Sequence, residues 1–115
     1  MQEPQSLGSI LETLLQLREA AFRLRHHEVA FHTLSAAAHA AEQLGDTKTL
    51  ERIERLAREH LEWIDANDPA QRFSTRSAAQ RGFSSIFEQL AVTTAGMRAR
   101  LHLRRDRSRA ERARG

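Results

Sequence analysis

The chain has 115 residues, the length of one ordinary domain, with 40% hydrophobic residues and a formal net charge of +3. It has no cysteine, which excludes disulfides and thiol chemistry. No apolar run reaches the ~18 residues that a membrane span needs, and the N-terminus lacks the basic and apolar regions of a signal peptide. These features predict a cytoplasmic protein without a membrane partner.

The positive charge is concentrated at the C-terminus. Residues 98–115 contain eight arginines and two acidic residues, a balance of +6, whereas the rest of the chain has a balance of −3. We therefore divide the chain into a single helical domain, residues 1–104, and an arginine-rich tail, residues 105–115. We expect the tail to continue as a fraying helix or to hang free.

The first helix is predicted from a cap and an apolar period. Residues 1–8 are expected to form an N-terminal leader. Ser9-Ile10-Leu11-Glu12 has the form of a capping box, so the helix is predicted to begin near Ile10. Apolar residues then recur at steps of three and four, which predicts one buried face. Its members are Leu7, Ile10, Leu14, Leu17, Ala21 and Leu24.

The apolar pattern changes phase near residue 27. The first series, continued in steps of seven, reaches the polar residues Glu28, Ser35 and Glu42. A new apolar series consists of Ala30, Leu34, Ala37, Ala41 and Leu44. Because one straight helix cannot bury both faces against a single layer, we predict a turn at residues 25–28 that forms a helical hairpin. The competing interpretation is one unbroken helix of about 35 residues, a length rare in small domains.

Further helices are predicted after the hairpin. Gly45-Asp46 supplies a left-handed stop followed by an N-cap, so a third helix is expected over residues 47–65. Its buried stripe is Leu50, Ile53, Leu56, Ala57, Leu61 and Ile64. Asp68-Pro69 is expected to open a short helix, and residues 70–82 are ambiguous. A last helix is predicted over residues 83–104, with a capping box at Ser85-Ile86-Phe87-Glu88. Its buried stripe is Phe83, Phe87, Leu90, Thr94, Met97 and Leu101.

Two motifs in the hairpin favour close helix packing. They are Leu14-x2-Leu17 in the first helix and Ala30-x3-Leu34-x2-Ala37 in the second. With these motifs, residues 12–45 resemble one unit of the tetratricopeptide repeat. The family's glycine, tyrosine and proline are replaced here by Arg18, Ala21 and Glu42. The resemblance implies a protein-binding scaffold with a groove and without catalysis. We predict an all-α fold of four main antiparallel helices, either a tetratricopeptide-like hairpin array or a small helical bundle.

A polar stripe on the second helix is the candidate partner-binding site. Its members, spaced by four, three, four and three residues, are Glu28, His32, Ser35, His39 and Glu42. Helix-bundle metal sites also use Glu and His at such spacings, but they draw matched ligands from several helices, and only the lone His60 is available elsewhere. We therefore expect no metal and no cofactor, and we interpret the stripe as facing solvent or a protein partner.

Histidines also lie at the predicted turn. We interpret His26 and His27 as turn residues near a helix end, where a cation is favourable. The alternative is a sensor of pH near neutrality, since histidine titrates there.

The sequence has no motif of a catalytic site. It lacks a glycine-rich phosphate loop, a Walker pattern and a zinc spacing. We predict a non-enzymatic protein–protein interaction module that binds a protein partner or a second copy of itself. The alternative is a small nucleic-acid-associated or regulatory protein that contacts phosphates through arginines. Those arginines are Arg98, Arg100, Arg104, Arg105, Arg107, Arg109, Arg112 and Arg114.

Overall fold

A computed structural model describes residues 6–115, and over this range it contains helices and turns but no strand. The helices are α1 (Leu7–Arg23), α2 (His27–Leu44), α3 (Thr47–Asn67), α4 (Thr75–Gln80) and α5 (Ile86–Arg114). The predicted all-α fold with four main helices is confirmed, and α4 is a short addition. Within the described range, no helix has the length and apolar character to cross a membrane.

The change of apolar phase near residue 27 marks a turn. α1 ends at Arg23, α2 begins at His27, and Arg25 between them has a left-handed backbone with φ of 61°. The amide of His26 donates a hydrogen bond to the carbonyl of Ala21 at 2.9 Å, which closes the end of α1. The alternative of one unbroken helix is therefore wrong. The short connection folds α1 and α2 into an antiparallel hairpin whose helices pack along each other.

α1 begins earlier than the predicted capping box. Ser6 has an extended backbone, and its side chain accepts a hydrogen bond from the amide of Ser9 at 3.1 Å. Ser6 is thus the N-cap and Ser9 lies in the first turn, so the predicted start near Ile10 is wrong. Of the predicted leader, residues 1–5 lie outside the described residues, whereas Leu7 and Gly8 are helical.

The buried side of α1 is rotated from the predicted one. Three predicted members of that side are exposed: Ile10, Leu17 and Leu24. Leu11 and Arg18 are buried instead. The rotation arises because α3 covers this side of α1, with Phe22 of α1 packed edge-on against Trp63 of α3 at 5.8 Å between ring centroids.

α2 occupies the centre of the fold. It contacts α1, α3 and α5, and its alanines allow these close approaches. Five of its residues are fully buried: Ala30, Leu34, Ala37, Ala38 and Ala41. Gly45 then ends α2 with φ of 66°, and Asp46 caps α3 by accepting the Thr49 amide at 3.0 Å. Both predicted roles are confirmed, and the predicted stripe of α3 is buried except for Leu56, which is half-buried.

The segment after α3 differs from the prediction. Asp68 ends α3 and does not open a helix at Pro69. The short helix α4 begins later, after Ser74, whose side chain accepts the amide of Ser77 at 3.0 Å. α4 therefore begins after Ser74 because the serine hydroxyl satisfies a free amide of the first turn.

α5 begins at the predicted cap but excludes Phe83. The side chain of Ser85 accepts the amide of Phe87 at 3.2 Å and donates to the carbonyl of Phe73 at 2.6 Å. This pair of bonds fixes the start of α5, so Phe83 precedes the helix and is 68% exposed. Its predicted place in the buried stripe is wrong. The remaining members are buried as predicted: Phe87, Leu90, Thr94, Met97 and Leu101.

The two parts of α5 have different surroundings. Up to Leu101 the helix packs on α3 and α2. From His102 to Gly115 every residue is exposed, although the helix continues through Arg114. The residues predicted as an arginine-rich tail therefore form the free end of α5.

Candidate functional site

The predicted polar stripe lies together on one side of α2. Glu28, His32 and His39 are exposed, whereas Ser35 and Glu42 are half-buried. The Nε2 atom of His32 lies 3.9 Å from Oε1 of Glu28, and Glu42 accepts a hydrogen bond from Arg100 of α5 at 3.2 Å. The five residues thus share one side of α2, but Glu42 at one end of the stripe is engaged by Arg100 of α5. Partner binding by the stripe stays a prediction.

The eight arginines near the C-terminus fall into two groups. Arg98 donates to Glu54 at 2.9 Å, Arg100 to Glu42, and Arg105 to the carbonyl of Gly45 at 2.8 Å. These three hold α5 against the body. The other five are exposed and form no ion pair or hydrogen bond with a side chain of residues 6–115. They are Arg104, Arg107, Arg109, Arg112 and Arg114.

Apolar residues on the outside of the hairpin form a surface that the sequence did not predict. Ile10 and Leu17 on α1 and Leu24, the residue that caps its end, follow one another at seven-residue steps and are 42%, 51% and 70% exposed. On α2, Val29 is 53% exposed and Ala36 is also exposed. We call these five residues the hairpin apolar face.

The contacts of the hairpin show that this face points away from α3. Phe22 of α1 and His27 of α2 both touch His60 of α3, so these two residues mark the covered side. Leu17 lies five residues before Phe22, and Val29 lies two residues after His27. At 3.6 residues per turn, these offsets place Leu17 about 140° and Val29 about 160° from the covered side.

The hairpin apolar face contains no permanently charged residue. The residues that lie on the same arcs of the two helices are all apolar or uncharged. Thr13, Leu14 and Ala20 on α1 and Thr33 on α2 are half-buried, and Gln43 on α2 is exposed. Ala21 and Ala40 lie on the inner edges of these arcs and are buried. Contiguous apolar patches on folded domains are common at interaction sites.

A buried histidine pair joins the hairpin to α3. Nδ1 of His27 and Nε2 of His60 are 2.8 Å apart, and the residues are 6% and 1% exposed. The His60 ring stacks on Phe87 at 4.2 Å and touches Phe22 on another side. Nδ1 of His60 has no hydrogen-bond partner among the described residues. We assign His60 Nε2 as the donor, because this leaves Nδ1 a bare acceptor rather than an orphaned N–H.

Burial favours the neutral form of both histidines. It lowers the pKa of His60 to about 3, and the charges of Arg18 and Arg25, together with any proton on His27, act in the same direction. Burial also lowers the pKa of His27, against the attraction of Asp68. His27, predicted as a turn residue near a helix end, is the first residue of α2 and is buried.

Arg25 ties the turn itself to α3. Its guanidinium lies over the ring of Trp63, 3.9 Å from the centroid, and donates to the carbonyl of Phe22 at 3.1 Å. A cation over an indole face is attracted by the ring quadrupole, which offsets part of the cost of the left-handed backbone at Arg25. This contact and the histidine pair thus join the turn end of the hairpin to α3, beside the core packing of α2 on α3.

An open groove of about 400 Å³ lies between α1 and α3. The buried Arg18 lines it with Arg23, Arg52, Glu12 and Glu19. Nη2 of Arg18 donates to Glu19 at 2.6 Å, while Nε has no partner among the described residues. Burial lowers the pKa of Arg18, and Glu19 opposes this shift. The lining contains no hydroxyl, thiol or imidazole, and its only acidic groups are the carboxylates of Glu12 and Glu19.

No protein-family model, curated protein or solved structure gives a significant match to this chain. The resemblance of residues 12–45 to a tetratricopeptide unit therefore stays a prediction. Within residues 6–115, no three His, Cys, Asp or Glu side chains are grouped as metal ligands.

Proposed function

We propose that this chain is a non-enzymatic helical protein–protein interaction module that binds through the hairpin apolar face. The observation that carries the proposal is the line of Ile10, Leu17 and Leu24, which are large, exposed and free of charged neighbours on their arc. Fully burying an aliphatic side chain of this size is worth about 1.5–3 kcal/mol. Covering this line with a partner therefore supplies a substantial driving force.

The rigidity of the hairpin supports the same proposal. α1 and α2 pack extensively against each other, and buried alanines bring α2 close to its neighbours. The turn between them is held by Arg25 and His27. A face on two fixed helices loses little conformational entropy when a partner binds. Seven-residue spacing on α1 suits a partner helix with apolar residues at steps of three and four.

The polar stripe has a place in this proposal as the rim of the contact. His32 and His39 lie four residues before and three residues after Ala36 on α2, so they border the hairpin apolar face. Polar, solvent-accessible side chains commonly surround the apolar centre of an interface. We propose that they contribute to specificity and that Leu17 contributes most of the binding energy.

A displayed library of random 20-residue peptides tests the proposed function. We expect enrichment of amphipathic sequences whose binding is lost in Leu17→Glu and largely kept in His39→Gln, the matched control on the rim. Circular dichroism establishes that both variants remain helical. Peptides that bind Leu17→Glu as well as they bind the wild type would overturn the proposed site, and a monomeric wild type that enriches no peptide would overturn the function.

A second candidate function uses the free end of α5. Its five unengaged arginines project from the body on a continuous helix, which is a suitable form for phosphate contacts. Five such contacts make the affinity for duplex DNA fall roughly 500-fold between 50 and 200 mM salt. We test this with a chain that ends at Arg105, which keeps the bond to Gly45. Negligible binding by both chains would rule out this candidate.

A further inference from the structure

We infer that the partner on the hairpin apolar face is a second copy of this chain, bound with the two α1 helices antiparallel about a twofold axis beside Leu17. This inference rests on the proposed function and adds the identity of the partner. It depends on three properties of the face, which are its symmetric spacing, its lack of charge and its size.

The spacing of the large side chains is symmetric about Leu17. Ile10 precedes it by seven residues and Leu24 follows it by seven, about 10 Å along the helix in each direction. A twofold axis beside Leu17 therefore places Ile10 against the partner subunit's Leu24, and the reverse. An isologous interface requires such self-complementarity, and it buries every large residue of the line.

Small residues beside Leu17 make room for a close approach. Thr13 precedes it by four residues and Ala20 follows it by three, so both are its neighbours on the surface of α1. A large side chain between small ones forms the knob-and-hole pattern that two helices use when they pack. In the antiparallel arrangement, each Leu17 enters the space beside the partner subunit's Ala20.

The lack of charge narrows the choice of partner. A partner with charged residues in its contact region has no opposite charge here with which to pair, and burying an unpaired charge is costly. The matching surface must therefore be apolar and uncharged. The hairpin apolar face is itself a surface of this kind, and every copy of the chain carries it.

The size of the face suits a dimer. α1 has 17 residues and is about 25 Å long, and two packed helices present a surface about 20 Å wide. The projected area of about 500 Å² is of the same order as the roughly 800 Å² per partner that a standard interface buries. The rim residues on α2 extend the contact further.

A single introduced thiol tests the position of the axis. Because the chain has no cysteine, Leu17→Cys places one thiol beside the inferred axis. Val92→Cys is the matched control, since Val92 is 58% exposed on α5, away from the face. At low micromolar protein with oxidised glutathione, we expect disulfide-linked dimers of Leu17→Cys to form at least about tenfold faster than those of Val92→Cys. Equal rates would overturn the inference.

Introducing opposite charges at residues 10 and 24, singly and together, tests the antiparallel register. Ile10→Glu and Leu24→Arg should each yield monomers, because either buries an unpaired charge against an apolar side chain of the partner subunit. The double variant should dimerise again, because each carboxylate then meets a guanidinium of the partner subunit. A double variant that is helical by circular dichroism but monomeric would refute the register.

The oligomeric state and the peptide library together distinguish a failure of this inference from a failure of the proposed function. A monomeric wild type that still selects library peptides in a Leu17-dependent way would overturn the second copy and leave the interaction module intact. A monomeric wild type that selects no peptide would overturn both. Dimers that survive every substitution on the face would show that the copies meet elsewhere and would overturn the inference.

Discussion

Acid should unfold this protein through His60. The folded state holds the pKa of His60 at about 3, whereas the ordinary value of 6.5 applies once the chain unfolds. Above pH 6.5 the ring is neutral in both states and the stabilising contribution is fully present. Below pH 6.5 the unfolded state binds a proton that the folded state does not bind, so the free energy of unfolding falls with pH.

The size of this loss in unfolding free energy follows from the difference between the folded and unfolded pKa values of His60. At pH 4.5 the unfolded ring is two units below its pKa, while the folded ring is still neutral. Each unit is worth 1.36 kcal/mol, so His60 alone lowers the free energy of unfolding by about 3 kcal/mol between pH 7 and pH 4.5. His27, whose pKa is also lowered by burial, adds to the loss. A domain is typically stable by about 5–15 kcal/mol, so the effect is large.

The assay is urea denaturation followed by circular dichroism at pH 7, 6, 5 and 4.5. His60→Gln keeps a hydrogen-bonding group but does not titrate. We expect it to be less stable than the wild type at pH 7, because it loses the stack on Phe87, and to approach the wild type at pH 4.5. His39→Gln controls for removing a surface histidine. Parallel pH curves for His60→Gln and the wild type would refute the reasoning.

Three further substitutions test local features by the same denaturation assay. Arg25→Gly should be more stable than Arg25→Ala by about 1 kcal/mol, because both lose the contact with Trp63 but only glycine relaxes the left-handed backbone; the reverse order would contradict this. Asp46→Ala should cost about 1 kcal/mol through the lost cap of α3, with Asp46→Asn close to the wild type; equal losses would exclude capping. Ala37→Leu should cost about 1–3 kcal/mol by overpacking, whereas Ala66→Leu on the exposed side of α3 should be nearly neutral.

Several elements of the fold were predictable because their signals are local. The change of apolar phase located the turn, although neither glycine nor proline marks it. Gly45-Asp46 predicted both the end of α2 and the cap of α3. The buried stripes of α3 and α5 were predictable because each of these helices has one apolar side, so only one side fits a core.

The orientation of α1 was not predictable, because apolar residues cover more than half of its circumference. The series through Leu17 and the series through Leu11 both satisfy the helical period. The choice between them depends on where α3 packs, some 40 residues later in the chain. α1 has more apolar residues than one buried side can hold, which indicates that one of the two series faces outward. The prediction instead placed the series through Leu17 in the core.

The histidine pair could not be predicted for a related reason. His27 and His60 are 33 residues apart, and no local pattern links them. Their meeting depends on how α2 packs on α3 across the turn at Gly45-Asp46. The polar stripe, by contrast, was recognisable from spacing alone, and the structure does place its five members on one side of α2.

Sedimentation equilibrium over a range of concentrations tests the central claim most directly. The chain has a mass of 13.1 kDa, so the wild type should approach twice this mass as the concentration rises. Leu17→Glu should weaken the association at least about 100-fold, because each dimer would hold two unpaired carboxylates at the axis. A wild type that stays at 13.1 kDa at every concentration, or a Leu17→Glu variant that associates as strongly as the wild type, would contradict the account.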